Sequence, residues 1–434
     1  MTEPLSRCCY CGVASDWEEA FVDASTFRNG PGKACVTCKA YRDKFHGFYI
    51  NIAIGAMLFL AIGYGITGSA IGAVAFAVIA YIAAYAAIAL HELAHAAAAT
   101  LVGVGVPVFS IGGGRHVRVS RTPARWLLLG FTPSEGLIIL SYRSRNWHRT
   151  KSAFISAAGP LFNLACAGVV YAWLKQSGGA LPAYPELAAE QFVLFNALLG
   201  VVNLLPFQAT TPYGVMSSDG RSIIGAFAMT DEHVDEAVGQ TFFVVAYFEY
   251  LFGSKAAVVA MVDPLIESGD ADIAVKILAT AAYAETGNLD KGIRLCRAAL
   301  EAADLDRAQR AALLNNLAYA LQFKKTPDAL EEAEQFSSEA YSLFPMSLAI
   351  RSTRALVLVA TDREREALAL TRDRRFKIEP KPTQANVLCT QATAYSQLGE
   401  TERAAESLAA AARLAPDSDR VAKTRLELAG KAAA

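Results

Sequence analysis

The chain has 434 residues, of which 53% are hydrophobic and 19% charged, with a formal net charge of −1. Soluble globular proteins carry about 25% charged residues; here the deficit falls on the first 206 residues, while 265–434 are rich in Glu, Arg and Ala. A near-neutral chain with no basic excess speaks against nucleic acid as a partner, and the uneven polarity predicts at least three units: a small head, a membrane core and a soluble tail.

The head, residues 1–46, is polar and lacks the short apolar run and small-residue cleavage site of a signal peptide. It holds Cys8-x-x-Cys11-Gly12 and Cys35-x-x-Cys38, two pairs with 23 residues between them. That spacing matches a four-thiolate structural site, with zinc as the first expectation and a four-thiolate iron site as the alternative. Gly12 would free the backbone to turn towards the metal. So short a segment has no core of its own, so metal should supply its folding energy as a zinc-ribbon-like head, and disulfides are disfavoured in a reducing cytoplasm. Cys9 is left over, and Cys166, Cys296 and Cys389 read as core residues.

A membrane helix needs about 20 predominantly apolar residues. Four runs qualify: Phe48 to Thr67, Ala70 to about Leu101, about Ser152 to Leu174, and Gln191 to Pro206. A fifth, Thr241 to Phe252, is too short and reads as a soluble or surface helix. From Gly47 to Gly114 the only charged or imidazole side chains are His91, Glu92 and His95. Ionisable groups inside a span are costly and mark function. His91 and His95 are four apart, so on a helix they share a face and can share a metal; Glu92 beside them can take the proton of a metal-bound water.

A catalytic zinc wants three protein ligands and a water. Asp219, in Ser218-Asp219-Gly220, is the leading third ligand, with no other Asp or Glu between Pro206 and Asp219. Asn163, in Gly159-Pro160-Leu161-Phe162-Asn163, and Asn203, in Asn203-Leu204-Leu205-Pro206, are amides in costly places. They can bind a substrate backbone, cap helix ends or bond across helices.

HELAH, GPLFN, and NLLP followed by DG, in this order, resemble the site-2 protease family of intramembrane zinc metalloproteases over roughly residues 50–225. The resemblance implies a catalytic zinc on His91, His95 and Asp219, with Glu92 as general base and Asn163 and Asn203 near the substrate. It also implies cleavage of a transmembrane helix of a membrane protein near the cytoplasmic face. Val104 to Val119, with Gly112-Gly113-Gly114, resembles the family's β-hairpin at the membrane edge, whose free edge could hold an unwound substrate by strand addition. One departure stands out: thirteen positions separate Pro206 from Asp219, where family members often have only a few. The insertion is polar and turn-rich, so it can loop out and let Asp219 return.

Residues 115–151 hold eight Lys and Arg (Arg115, Arg118, Arg121, Arg125, Arg143, Arg145, Arg149 and Lys151) against the single acid Glu135. This loop is expected in the cytoplasm, and with an even span count both termini follow it. The tail from about Gly269 reads as helical hairpins, with Tyr283, Tyr319 and Tyr395 spaced by 36 and 76, or about two units of 38. It resembles tetratricopeptide repeats, whose period is about 34; an irregular helical bundle is the alternative. Either exposes a surface for a cytoplasmic protein or peptide.

The expected fold is mainly α: a polytopic membrane helical core with a small β-hairpin, a zinc-ribbon-like head and an α-helical repeat domain. The expected boundaries are 1–46, 47–230 for the four-span core, 231–268 for a helical linker and 269–434. The expected function is an intramembrane zinc endopeptidase acting in regulated intramembrane proteolysis. A multi-pass place in the lipid bilayer, with an Ala-rich composition suggesting a bacterial cytoplasmic membrane, goes with it. Cofactors would be one catalytic and one structural Zn2+. The alternatives are an inactive membrane scaffold recruiting partners through the head and repeats, and a transporter using the buried Glu and His as a relay. The lack of symmetry between helix pairs counts against the transporter.

Overall fold

The computed structural model describes the chain apart from residues 1–5, 12, 27–29, 43–47, 123–124, 143–144, 212–213, 302–303, 380, 417 and 434. Gly12 and Arg143 therefore lie outside the described residues, as do the side chains of Arg115, Arg118, Arg121, Arg125 and Glu135. The chain forms two compact units, Phe45–Val245 and a discontinuous one made of Met1–Lys44 with Ala246–Ala434. It is mainly α-helical, with small two-stranded sheets.

The discontinuous unit starts with β1 (Ser6–Arg7) and β2 (Ala14–Ser15), then β3 (Phe21–Thr26) and β4 (Gly30–Cys35), each pair antiparallel, and α1 (Val36–Arg42). In the Phe45–Val245 unit, α2 (Phe48–Thr67) packs against α3 (Ala70–Leu101). The Ser69 hydroxyl caps α3 by accepting from Gly72 N at 3.0 Å. With 32 residues, α3 is about 48 Å long, more than the roughly 30 Å hydrocarbon thickness, and its histidines come late along it. Then follow β5 (Gly105–Thr122), β6 (Arg125–Ser141), α4 (His148–Ser177), α5 (Ala183–Leu204), β7 (Gln208–Thr211), β8 (Gly214–Ser217), α6 (Asp219–Ala228) and α7 (Asp231–Phe252), in which the boundary between the units falls.

Among the described residues three helices, α3, α4 and α5, are long and apolar enough to cross a membrane, and Ala53–Thr67 of α2 is a shorter apolar helix. Their polarity is inverted relative to a soluble protein. Ile66, Ile71, Ile82, Val169, Leu194 and Leu198 are exposed, while His91, Glu92, His95, Asn163, Gln191 and Asn196 are buried. Large apolar groups outside and ionisable groups inside are the arrangement that a lipid solvent selects.

The hairpin is larger than its sequence signal. Val104 to Val119 falls mostly in β5, but its partner β6 runs through the segment read as a basic loop. The register is broken, so that Val108–Ile111 pairs both with Gly136–Ile139 and with Trp126–Leu129. Alternation is weak in β6 because residues such as Leu127, Leu128 and Leu129 run consecutively, which hides a strand from a period-two reading. Tyr85 of α3 ties the sheet down, its hydroxyl contacting Gly130 O at 3.0 Å and Ile111 O at 3.3 Å.

Beyond α8 (Lys255–Ser268), the discontinuous unit continues as four helical hairpins and a last helix. These are α9 (Ile273–Glu285) with α10 (Leu289–Leu300), α11 (Arg307–Gln322) with α12 (Pro327–Leu343), α13 (Leu348–Ala360) with α14 (Glu364–Thr371), α15 (Lys381–Gln397) with α16 (Thr401–Leu414), and α17 (Asp419–Ala433). Alanines with almost no exposure, among them Ala320, Ala333, Ala355 and Ala394, let the helices approach closely. The first helices begin at 273, 307, 348 and 381, so the steps are 34, 41 and 33 instead of a uniform 38. The 76-residue gap hides the third hairpin. Its equivalents of Tyr283 and Gly287, or of Tyr395 and Gly399, are Leu358 and Asp362. The same turn closes all three: Asn288 N to Tyr283 O (2.9 Å), Arg363 N to Leu358 O (2.8 Å) and Glu400 N to Tyr395 O (2.8 Å).

Asp362 occupies the left-handed region at φ 57°, where Gly287 and Gly399 have 81° and 77°. An L-residue is disfavoured there by about 1–2 kcal/mol, somewhat less for Asp. Asp362→Gly should therefore leave unfolding of the repeats unchanged or raise it by up to about 1 kcal/mol, whereas Leu358→Ala should cost about 2–5 kcal/mol. Thermal melts of the detergent-solubilised protein decide it; clear destabilisation by Asp362→Gly would show that the third hairpin closes by a different turn.

Candidate metal centres

The first cluster forms where α3, α4, α5 and α6 meet. His91 and His95 lie one turn apart on α3 and are each 5% exposed, with Glu92 beside them at 7%. Their Nε2 atoms are 3.0 Å apart. Asp219 arrives from the start of α6, Oδ2 at 3.0 Å from His91 Nε2 and Oδ1 at 3.4 Å from His95 Nε2. The departure between Pro206 and Asp219 is thus a β7–β8 hairpin whose ends are pinned by Ser218. Its N–H donates to Phe207 O (3.0 Å), and its hydroxyl donates to Leu205 O (2.6 Å), accepts from Phe207 N (3.1 Å) and caps α6 at Arg221 N (3.3 Å). A Cβ on Gly220 would meet Leu204 O at 2.0 Å, so the residue after Asp219 must be glycine for α6 to start this close to α5.

The hydrogen bonds around the histidines have a forced direction. Asn196 Nδ2 donates to Phe192 O (2.8 Å), so Asn196 Oδ1 accepts from Asn163 Nδ2 (2.7 Å), which also donates to Ala87 O (3.0 Å). Asn163 Oδ1 is then the acceptor for His91 Nδ1 at 2.6 Å, and Ile155 O is the acceptor for His95 Nδ1 at 2.6 Å. Both imidazoles therefore carry a proton on Nδ1, which leaves Nε2 as the ring nitrogen that can bind a metal. Two Nε2 atoms and a carboxylate converge, a donor set suited to a divalent cation. Ligand atoms about 2.0–2.1 Å from a tetrahedral zinc lie about 3.3 Å apart, and the separations here bracket that value. The residues fit the metal.

Gly159, in the first turn of the Gly-Pro-Leu-Phe-Asn segment, leaves room for the rings: a Cβ there would fall 2.4 Å from His95 Nε2. On the other side β6 passes over Glu92, with the Gly136 Cβ position 2.5 Å from its Oε1. Asn163 thus reaches the cluster, but as the partner that orients His91. Asn203 does not: it is half-buried near the end of α5 and outside this network, and the α5 amide that enters is Asn196.

In the second cluster, Cys8, Cys11, Cys35 and Cys38 place their sulfurs within 4.8 Å of one another. Cys11 and Cys35 are 3.8 Å apart, and Cys35 N donates to Cys8 Sγ at 3.2 Å. Zinc–sulfur bonds of about 2.3 Å put tetrahedral sulfurs about 3.8 Å apart, so this set also fits. Four thiols this close cannot all ionise side by side without a cation. Hydrogen bonds from Cys35 and Cys38 pull Cys11 well below the ordinary thiol range, and Cys11 and Cys35 in turn hold Cys38 well above it. Cys9 stands apart from the set, and Cys296 and Cys389 are core residues at 1% and 0% exposure.

Residues 79–265 match the family model of Peptidase family M50, the site-2 protease family, and the match contains every residue of the first cluster. M50 is a family of zinc metalloproteases. No curated protein matches the chain. Among solved structures, a thermophilic TPR protein of Thermus thermophilus is 16% identical, with a TM-score of 0.35, over 44% of this chain and 97% of its own. YrrB, a TPR protein with an unusual peptide-binding site, is 16% identical with a TM-score of 0.28, over 43% and 90%.

Residues that orient ligands without touching metal should matter nearly as much as ligands. Asn196→Ala leaves Asn163 free to rotate and His91 without a fixed tautomer, and Ser218→Ala frees the base of the hairpin that carries Asp219. Each should weaken zinc binding by about 10- to 100-fold, read by competition with a chelator on the purified protein. Wild-type affinity in both variants would show that the ligands are held by helix packing alone.

Proposed function

We propose that this chain is an intramembrane zinc endopeptidase that cuts transmembrane helices of membrane proteins close to one face of the bilayer. The observation that carries the reading is the convergence of three potential metal donors, His91, His95 and Asp219, with the buried Glu92, inside a bundle whose exterior is apolar. The match of residues 79–265 to the M50 family supports it.

Bound at His91, His95 and Asp219, zinc would acidify a water and polarise the scissile carbonyl. The protein's own contribution is the rest. Asn163 and Ile155 O hold the rings so that neither Nε2 competes for a proton. Glu92, next to the first ligand, accepts the proton of the attacking water and returns it to the leaving amine. A helical substrate shields its carbonyls by its own hydrogen bonds, so it must unwind locally. The β5–β6 sheet, which lies against Glu92 at Gly136, offers backbone groups to receive the opened segment.

Packing and charge support a reading with both termini in the cytoplasm. Residues before α2 and after α7 form one compact unit, so both lie in one compartment and the spans between them are even in number. Since α3, α4 and α5 are three, α2 is the fourth. The basic residues of 115–151 favour the cytoplasm for that compartment, where the helical repeats can receive a protein or peptide partner. A degenerate scaffold would have no reason to keep both the donor set and its orienting amides.

Glu92→Gln should cut cleavage of a single-pass model substrate in detergent by about 10²- to 10⁴-fold while leaving bound zinc unchanged, because an amide cannot take the proton and Glu92 is not a ligand. Cleavage near the wild-type rate would remove Glu92 from the reaction.

A further inference from the structure

The head does not end at its own residues. Its buried set of Cys8, Ala20, Phe21, Ala34, Cys35 and Cys38 is closed by Met346, which is 0% exposed and lies between α12 and α13. Thr37 donates its hydroxyl to Met346 O at 2.6 Å, Trp17 meets Phe344 edge-on at 4.7 Å, and Arg307 pairs with Asp16 at 2.7 Å. The thiols themselves face a guanidinium 337 positions away. Arg375 Nη1 lies 3.2 Å from Cys38 Sγ and 3.6 Å from Cys35 Sγ, and the residue is 8% exposed.

Arg375 is held from the repeat side. Its Nε donates to both Asp373 oxygens at 2.9 Å, and Arg351 Nη1 holds the same carboxylate at 2.8 Å. A divalent ion with four thiolates carries a net charge of −2, which is costly to bury unless paired and hydrogen-bonded. Arg375 supplies one compensating charge and hydrogen bonds to two of the sulfurs, at the sulfurs that the contact with the repeats buries.

We propose that the four-cysteine site is a metal-dependent clasp: a thiophilic divalent ion bound there fastens the N-terminal head to the helical repeats through Arg375. The inference rests on this site binding metal and is independent of the protease reading. By reciprocity, whatever factor docking adds to metal affinity, metal adds to docking. Metal loss leaves Arg375 facing sulfurs that no longer carry the charge it pairs with, and it releases the head from Met346 and Phe344. The clasp joins the two segments that flank the membrane unit in sequence, so its state sets whether they act as one body.

The test uses the full-length protein in detergent, loaded with cobalt(II). Its sulfur-to-metal absorption reports the four-cysteine site alone, apart from the histidine–aspartate site. Arg375→Ala should speed chelator-driven loss of that absorption by about 10- to 100-fold, and Arg375→Lys by less. Arg307→Ala, which breaks the Asp16 contact without approaching a sulfur, should also speed it. In the wild type, metal removal should raise hydrogen exchange together in 35–42 and in 344–348. Unchanged loss rates in the arginine variants, or protection at 344–348 that survives metal removal, would overturn the clasp. If Arg375→Ala does not fold, Arg307→Ala and the exchange experiment still decide. A chain that takes up no cobalt with sulfur absorption would sink the metal site itself, whatever the protease activity.

Discussion

Three donor atoms, His91 Nε2, His95 Nε2 and a carboxylate oxygen of Asp219, meet inside a bundle whose outside is apolar. Everything nearby serves to make that arrangement tolerable. The protons on Nδ1 are held by Asn163 and Ile155 O, Asn163 is in turn held by Asn196 and Ala87 O, and Asn196 by Phe192 O. In water such a network would compete with solvent; between apolar helices there is no competitor, so each buried polar atom either finds its partner or destabilises the fold. The amides on α4 and α5 give the buried histidines the partners that an apolar surrounding cannot.

The same constraint explains the shapes around the site. Gly159 keeps a side chain out of the ring volume, and Gly220 lets α6 begin against the end of α5. The β7–β8 insertion lengthens the path to Asp219 without moving it, because Ser218 ties both ends of the hairpin together. A loop so closed at its base can vary in length while Asp219 after it stays in register.

The discontinuous unit links topology to chemistry. Residues before the first span and after the last fold together around Met346 and Arg375. The repeats complete the buried core of the head, which its short sequence did not show.

What the sequence determined by itself is what is encoded locally. The i, i+4 histidines with Glu92 need only a helix, the C-x-x-C pairs need only two tight turns, and the long apolar runs need only a lipid solvent. Asp219 stood out as the one acid between Pro206 and Gly220 and as the Asp of the DG motif; the cap by Ser218 and the clearance at Gly220 appear only in the structure. Relations across elements were left to the tertiary structure. Asn196 and Asn203 are seven apart on one helix stripe, so periodicity could not say which amide reaches Asn163; the depth at which α5 crosses α4 decides it. The third helical hairpin escaped because Leu358 and Asp362 fill the positions where Tyr and Gly mark the others. Strand β6 escaped because its apolar residues do not alternate. Arg375 carries no sequence signal, since an arginine on a charged helical surface and one that faces two cysteines are told apart only by what packs over them.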